Sequence, residues 1–140
     1  MRVTRLSITP VKGLALHHPE SIRVDETGAV GDRIFFLADP RPSLVSVAKT
    51  GALVGITAEY DAPTRRLTLR EGDTVLADDE VRLREAIDSD FFAFRAAPGR
   101  IVDGPFAAIL SERAGRPLEL VQGTDSLRGH DVEPLSLLGQ

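Results

Sequence analysis

The sequence contains no cysteine. Disulfides, thiolate metal sites and a cysteine nucleophile are therefore excluded. A basic excess is missing too: 17 lysines and arginines stand against 21 aspartates and glutamates, and the resulting net charge of -4 argues against a nucleic-acid-binding surface. No apolar run approaches the ~20 residues needed to span a bilayer. Met1-Arg2-Val3-Thr4 leads straight into an alternating segment and not into a signal peptide. A cytoplasmic location with no membrane partner is the expectation. Hydrophobic residues at 42% and charged residues at 27% are close to globular averages, so neither disorder nor a fibrous repeat is indicated.

Taken in order, residues 3–9 read as a strand with Leu6 and Ile8 on one face, and Ser21–Asp25 as a second short strand. Arg33–Ala38 is apolar on both faces, which predicts a place at the centre of a sheet. Asp39-Pro40-Arg41-Pro42 ends it, and Leu44, Val45 and Val47 resume an extended segment. From Val54 to Ala77 the pattern is a β-meander: Val54, Ile56, Ala58 and Tyr60 share a face, and Leu67 and Leu69 alternate with Arg66, Thr68 and Arg70. Asp78-Asp79-Glu80 reads as the start of a helix to about Asp88, with an aspartate as N-cap and Glu80 four residues before Arg84. Phe91, Phe92 and Phe94 follow as core aromatics. Pro98-Gly99-Arg100 marks the expected boundary, after which come a helix with Phe106, Ile109 and Leu110 on one face, its stop at Gly115-Arg116-Pro117, and the strand Leu118–Val121. The predicted fold is mainly β with short helices, a β-barrel-like α+β arrangement built on an antiparallel meander. Residues 1–97 form the barrel-like domain in this division, and residues 98–140 begin a second.

Two stretches carry candidate chemistry. In Thr9-Pro10-Val11-Lys12-Gly13, Pro10 fixes its own φ and extends Thr9, so Lys12 leaves the strand in a constrained direction. In Gly31-Asp32-Arg33, the glycine permits a turn closed to other residues and Arg33 is carried by the apolar run behind it. Two cations at the ends of buried strands can converge on one anion; in the plainer alternative Lys12 is a solvated strand end and Arg33 pairs with Asp32 or another carboxylate. His17 and His18 point opposite ways on an extended loop and have no third ligand nearby, so they are not assigned to a metal. The acidic residues 78–80 are accounted for by helix-start electrostatics. Ser46, Ser111 and Ser126 lack a nucleophile-elbow setting, so no residue receives a catalytic role.

The run Val3–Gly13, then Gly28, then Gly31-Asp32-Arg33 with its apolar strand, resembles the N-terminal β-barrel of molybdenum cofactor sulfurase C-terminal (MOSC) proteins, with the beginning of the MOSC domain after it. That family shows a "YPVKS" stretch and a "GDR" stretch in this order. The resemblance implies that Lys12, Gly13 and Arg33 contact the pterin and phosphate of the molybdenum cofactor, with Lys49 as a looser basic candidate. Thr9 stands where the family usually has Tyr, and Gly13 where it usually has Ser, so a serine hydroxyl is absent. Asp131-Val132-Glu133-Pro134 matches the family's Asp-x-x-Pro segment, and the chain then ends within what should be the next element, as a domain cut short would. The implied activity is that of an oxidoreductase or sulfur carrier, with reduction of N-hydroxylated compounds as one reaction class. The family's molybdenum-ligating cysteine has no counterpart here, so the chain alone is expected to be inactive and to hold no cofactor, the molybdenum cofactor being bound in a full-length context. The alternative is a non-catalytic barrel that binds a protein partner or an anionic small molecule. Self-association is expected through apolar surface at Phe106, Ile109, Leu118 and Leu120.

Overall fold

A computed structural model describes residues 2–40, 51–91, 95–125 and 128–130, of which Phe91 and Arg95 are described in backbone only. Among these residues three sheets are formed. The first is a two-stranded ribbon of β1 (Val24–Asp25) and β2 (Gly28–Ala29). The second is the meander of β4 (Ile56–Asp61), β5 (Arg66–Glu71) and β6 (Thr74–Glu80). The third brings together β3 (Phe35–Ala38), β7 (Arg82–Phe91), β8 (Arg95–Asp103) and β9 (Glu119–Gly123) in the order β3-β9-β8-β7. All pairings between named strands are antiparallel. One helix, α1 (Phe106–Ala114), links β8 to β9. Among the described residues no helix is long and apolar enough to cross a membrane.

The meander forms as its alternation requires from Ile56 onward, whereas Val54, expected on the same face, precedes β4 and is exposed. Ile56 and Ala58 on β4 face Leu67 and Leu69 on β5, all buried, while Arg66, Thr68 and Arg70 lie on the other face. These inward side chains join Phe35, Leu37 and Leu120 of the four-stranded sheet, and Phe106 and Leu110 of α1, in one core cluster. Full burial of each such side chain stabilises the fold by about 1.5–3 kcal/mol. The helix ends where Gly115 adopts φ 69 and the N–H groups of Gly115 and Arg116 return to Glu112 and Ser111 carbonyls. The Ser111 hydroxyl then receives the Leu118 N–H at 2.9 Å, which turns the chain into β9.

Several local expectations are corrected. Residues 78–88 are not a helix: β6 and β7 run through them, broken only at Val81. The acidic face that imitates a helix start is the outer face of a strand, where Asp78 accepts from Arg66 Nε at 2.6 Å and from the Thr68 hydroxyl at 3.2 Å across the pair. Residues 3–9 form no ladder; Ile8 makes a single bridge to His17. The strand expected at Ser21–Asp25 shortens to β1. β3 is buried on both faces as predicted, with Phe35 and Leu37 in the main cluster and Phe36 and Ala38 in a second one, yet it lies at the end of the strand order. Its outer edge is taken by the segment before it, through a parallel bridge between Val11 and Phe35. Pro98, Gly99 and Arg100 lie within β8, paired to β7 on one side, with Gly99 and Arg100 also paired to β9 on the other. Phe106, Leu118 and Leu120 are buried in the chain's own core, so the apolar surface expected there lies inside. The segment at Leu44–Val47, Lys49, the rings of Phe91, Phe92 and Phe94, and Asp131–Pro134 lie outside the described residues.

Candidate functional site

Thr9–Gly13 and Gly31–Arg33 are brought side by side. The Arg33 N–H donates to the Thr9 carbonyl at 2.6 Å, the Phe35 N–H to the Pro10 carbonyl at 2.9 Å, and the Lys12 N–H to the Phe35 carbonyl at 2.9 Å. These bonds surround the single parallel bridge between Val11 and Phe35, and Pro10 sits where its lack of an N–H costs nothing, because only its carbonyl is used. Lys12 emerges half-buried just after the bridge, and Gly13 is buried at φ 97, in the left-handed region that a serine would occupy only with strain. The replacement of the family's usual serine is thus matched by the backbone.

The turn into β3 is held by a carboxylate. Asp32 is 5% exposed and receives the Thr9 N–H at 2.8 Å on Oδ1. Its Oδ2 accepts from the Arg33 guanidinium and lies 3.2 Å from His130 Nε2. His130 is itself 5% exposed. Thr9 is buried as well, and its hydroxyl donates to the Val11 carbonyl at 3.1 Å, which a tyrosine in that place could not do. Arg33 adopts φ 46, an unusual conformation for a residue with a side chain, and its side chain is 32% exposed. Its backbone is fixed on both sides, by Thr9 at the N–H and by the Gly129 N–H on its carbonyl at 2.9 Å. Backbone strain that the surroundings over-determine in this way gathers at functional sites.

Burial alone would push the Asp32 carboxyl up, but the His130 hydrogen bond, the Thr9 N–H and the Arg33 guanidinium together hold it below its ordinary value near 3.8. A carboxyl depressed in the folded state contributes stability that is full above the unfolded value and is lost as pH falls through the folded one. Acid unfolding followed by circular dichroism is therefore expected to begin below about pH 4 in the wild type. Asp32→Asn is expected to be less stable at neutral pH and to lose less on acidification; an unchanged difference in stability between the two proteins from pH 7 to pH 3 would contradict this account of Asp32.

Of the residues assigned from sequence, Lys12, Gly13 and Arg33 are placed on adjoining segments. The alternative expectation for Arg33, a pair with Asp32, is also present in the structure. His17 and His18 are not gathered with other ligands: His18 Nδ1 lies 3.0 Å from the Ser7 hydroxyl and 3.1 Å from the Leu6 carbonyl. Among the described residues no group of three His, Asp or Glu could hold a metal ion. His130 was not legible as a site residue, since it reaches Asp32 across 98 positions and sits in no recognisable local pattern.

A comparison with curated proteins finds no match. Among solved structures the chain is similar to the solution structure of a protein from Bordetella bronchiseptica, at 15% identity and a TM-score of 0.48, with 83% of this chain and 97% of that chain covered. The family model described as the MOSC N-terminal beta barrel domain matches residues 1–98. With that match covering more than half of its length, the chain belongs to the MOSC N-terminal beta barrel domain family.

Proposed function

We propose that this chain is the cofactor-contacting module of a molybdenum-cofactor protein of the MOSC type, an oxidoreductase or sulfur carrier, and that Lys12, Gly13 and Arg33 contact the pterin and phosphate. The observation that carries this reading is the hydrogen-bonded alignment of Thr9–Lys12 with Arg33–Phe35, which puts a half-buried lysine and a partly exposed, conformationally fixed arginine on adjoining segments. Arg33 has five N–H donors in a fixed fork, so a pair with Asp32 leaves donors for a phosphate. The donor set suits phosphate and pterin oxygens. It does not suit the metal, because the chain has no thiol. When bound, the cofactor would supply the redox chemistry; the chain's own part is to hold its anionic end, and alone it is inactive. Membership of the family supports this assignment.

In a full-length version of the protein, Arg33→Ala is expected to weaken binding of the pterin phosphate, followed by pterin fluorescence, about tenfold to a hundredfold, as loss of a charge-assisted hydrogen bond would. Arg33→Lys should restore only part of it, since an ammonium cannot reproduce the fork. Thermal unfolding measured on the same proteins should shift by the equivalent of only about 1–2 kcal/mol, because Thr9 and His130 still hold Asp32. Full affinity in Lys12→Ala, Arg33→Ala and Arg33→Lys would overturn the assignment. It would favour a second reading, a non-catalytic barrel binding a protein or an anionic small molecule, which the Arg33–Asp32 pair itself recommends as pure architecture.

A further inference from the structure

The turn at residues 128–130 lies outside the region matched by the family model, yet it makes two separate contacts with the Gly31–Arg33 turn. Gly129 donates its N–H to the Arg33 carbonyl, and a Cβ at Gly129 would sit 2.9 Å from that oxygen and 3.1 Å from the Phe35 carbonyl, so the approach is closed to larger residues. One residue later, the His130 imidazole reaches the same Asp32 oxygen that Arg33 uses. The backbone of Arg33 and the carboxylate that orients its guanidinium are thus both held by one short turn.

We propose that His130 is a positioning residue for Arg33: through the shared Asp32 oxygen it sets the direction of the guanidinium, while Gly129 locks the left-handed backbone that carries it. An imidazole N–H on Oδ2 limits the lone pairs open to Arg33 and fixes the carboxylate plane, which Thr9 already holds at Oδ1. Without His130 the carboxylate can rotate about its last bond and carry the guanidinium with it, away from an incoming anion. The ligand side of this inference rests on the anion-contact role given to Arg33 above; the geometric side does not.

The test uses the full chain, inorganic phosphate as the probe, and nuclear magnetic resonance of the Arg33 Nε–H and Thr9 amide before and during titration. In His130→Ala both resonances are expected to move without ligand, and phosphate affinity to fall about tenfold, the loss of one good hydrogen bond's worth of ordering. His130→Gln, which can offer a neutral N–H from a similar position, should recover most of the affinity and the Arg33 resonance, a rescue that a purely space-filling role for His130 would not give. Gly129→Ala keeps the imidazole but displaces the turn, and should move the Arg33 resonance in the same way; it decides the matter if His130→Ala does not fold. Unchanged Arg33 and Thr9 resonances in the folded variants would overturn the positioning role. Failure of the wild-type chain to bind phosphate would instead overturn the anion-contact role of Arg33, leaving His130 to be judged by the ligand-free resonances alone.

Discussion

A chain ended after residue 98 is expected to lose its cooperative unfolding transition. Val102, Phe106, Leu110, Leu118 and Leu120 all follow that position, and all belong to the same buried cluster as Val11, Phe35, Ile56 and Leu67. At about 1.5–3 kcal/mol each, their removal takes away as much as the whole net stability of an ordinary domain, which is about 5–15 kcal/mol. The loss is also topological, because β9 is the strand that joins β3 to β8, and without it Phe35–Ala38 has no antiparallel partner. Circular dichroism melts and amide exchange on residues 1–98, compared with the full chain, read the outcome directly. A sharp transition and slow exchange in the shortened chain would instead establish residues 1–97 as a self-sufficient barrel with a separate second unit, the division expected from the sequence.

Phe35→Ala is expected to cost about 3–5 kcal/mol, the range for a buried aromatic truncated in a packed core. The ring is fully buried and meets Tyr60 edge-on, with centroids 5.0 Å apart and planes at 85°. For a chain of this length that corresponds to a fall in melting temperature of about 10–20 °C. The variant also reaches the site, because the Phe35 backbone holds both Pro10 and Lys12. Urea unfolding gives the first effect; loss of the phosphate-induced shift at the Lys12 amide, under conditions where the variant is still folded, gives the second. Phe35→Leu should lose less on both counts, and a loss below about 1 kcal/mol in Phe35→Ala would mean that the site's support does not run through this ring.

Much of this architecture could be read locally, and where it could not, the missing information was a distant partner. Leu67 and Leu69 announce their strand because their own neighbours alternate, and Gly115 announces a helix stop because its conformation belongs to that stop. Asp78–Glu80 failed the same kind of test: an acidic outer strand face looks like a capped helix start until Arg66 and Thr68 are placed opposite it. Pro98-Gly99 resembles a linker by composition, yet a Cβ at Gly99 would lie 2.5 Å from the Val121 side chain and 2.7 Å from the Gln122 carbonyl, so the glycine is there to let two strands approach. In the site, the positions of Lys12 and Arg33 beside backbone-controlling residues were legible, and so was the possibility of an Arg33–Asp32 pair. The burial of Asp32, its hold on Thr9 and the arrival of His130 were not, since each depends on contacts made across at least 23 positions.

The parallel bridge between Val11 and Phe35 also covers an exposed sheet border. A terminal strand ordinarily offers a row of open N–H and C=O groups to any other chain, and β3, being short and wholly apolar, would be a hazardous one. Pro10 and Lys12 occupy the Phe35 groups on that border, and Pro10 can donate nothing to a further strand. The segment that presents the lysine is therefore also a plug against edge-to-edge aggregation. Changes that loosen it are expected to bare the β3 border, so that clumping, read by light scattering, would accompany any loss of the phosphate contact proposed for Lys12.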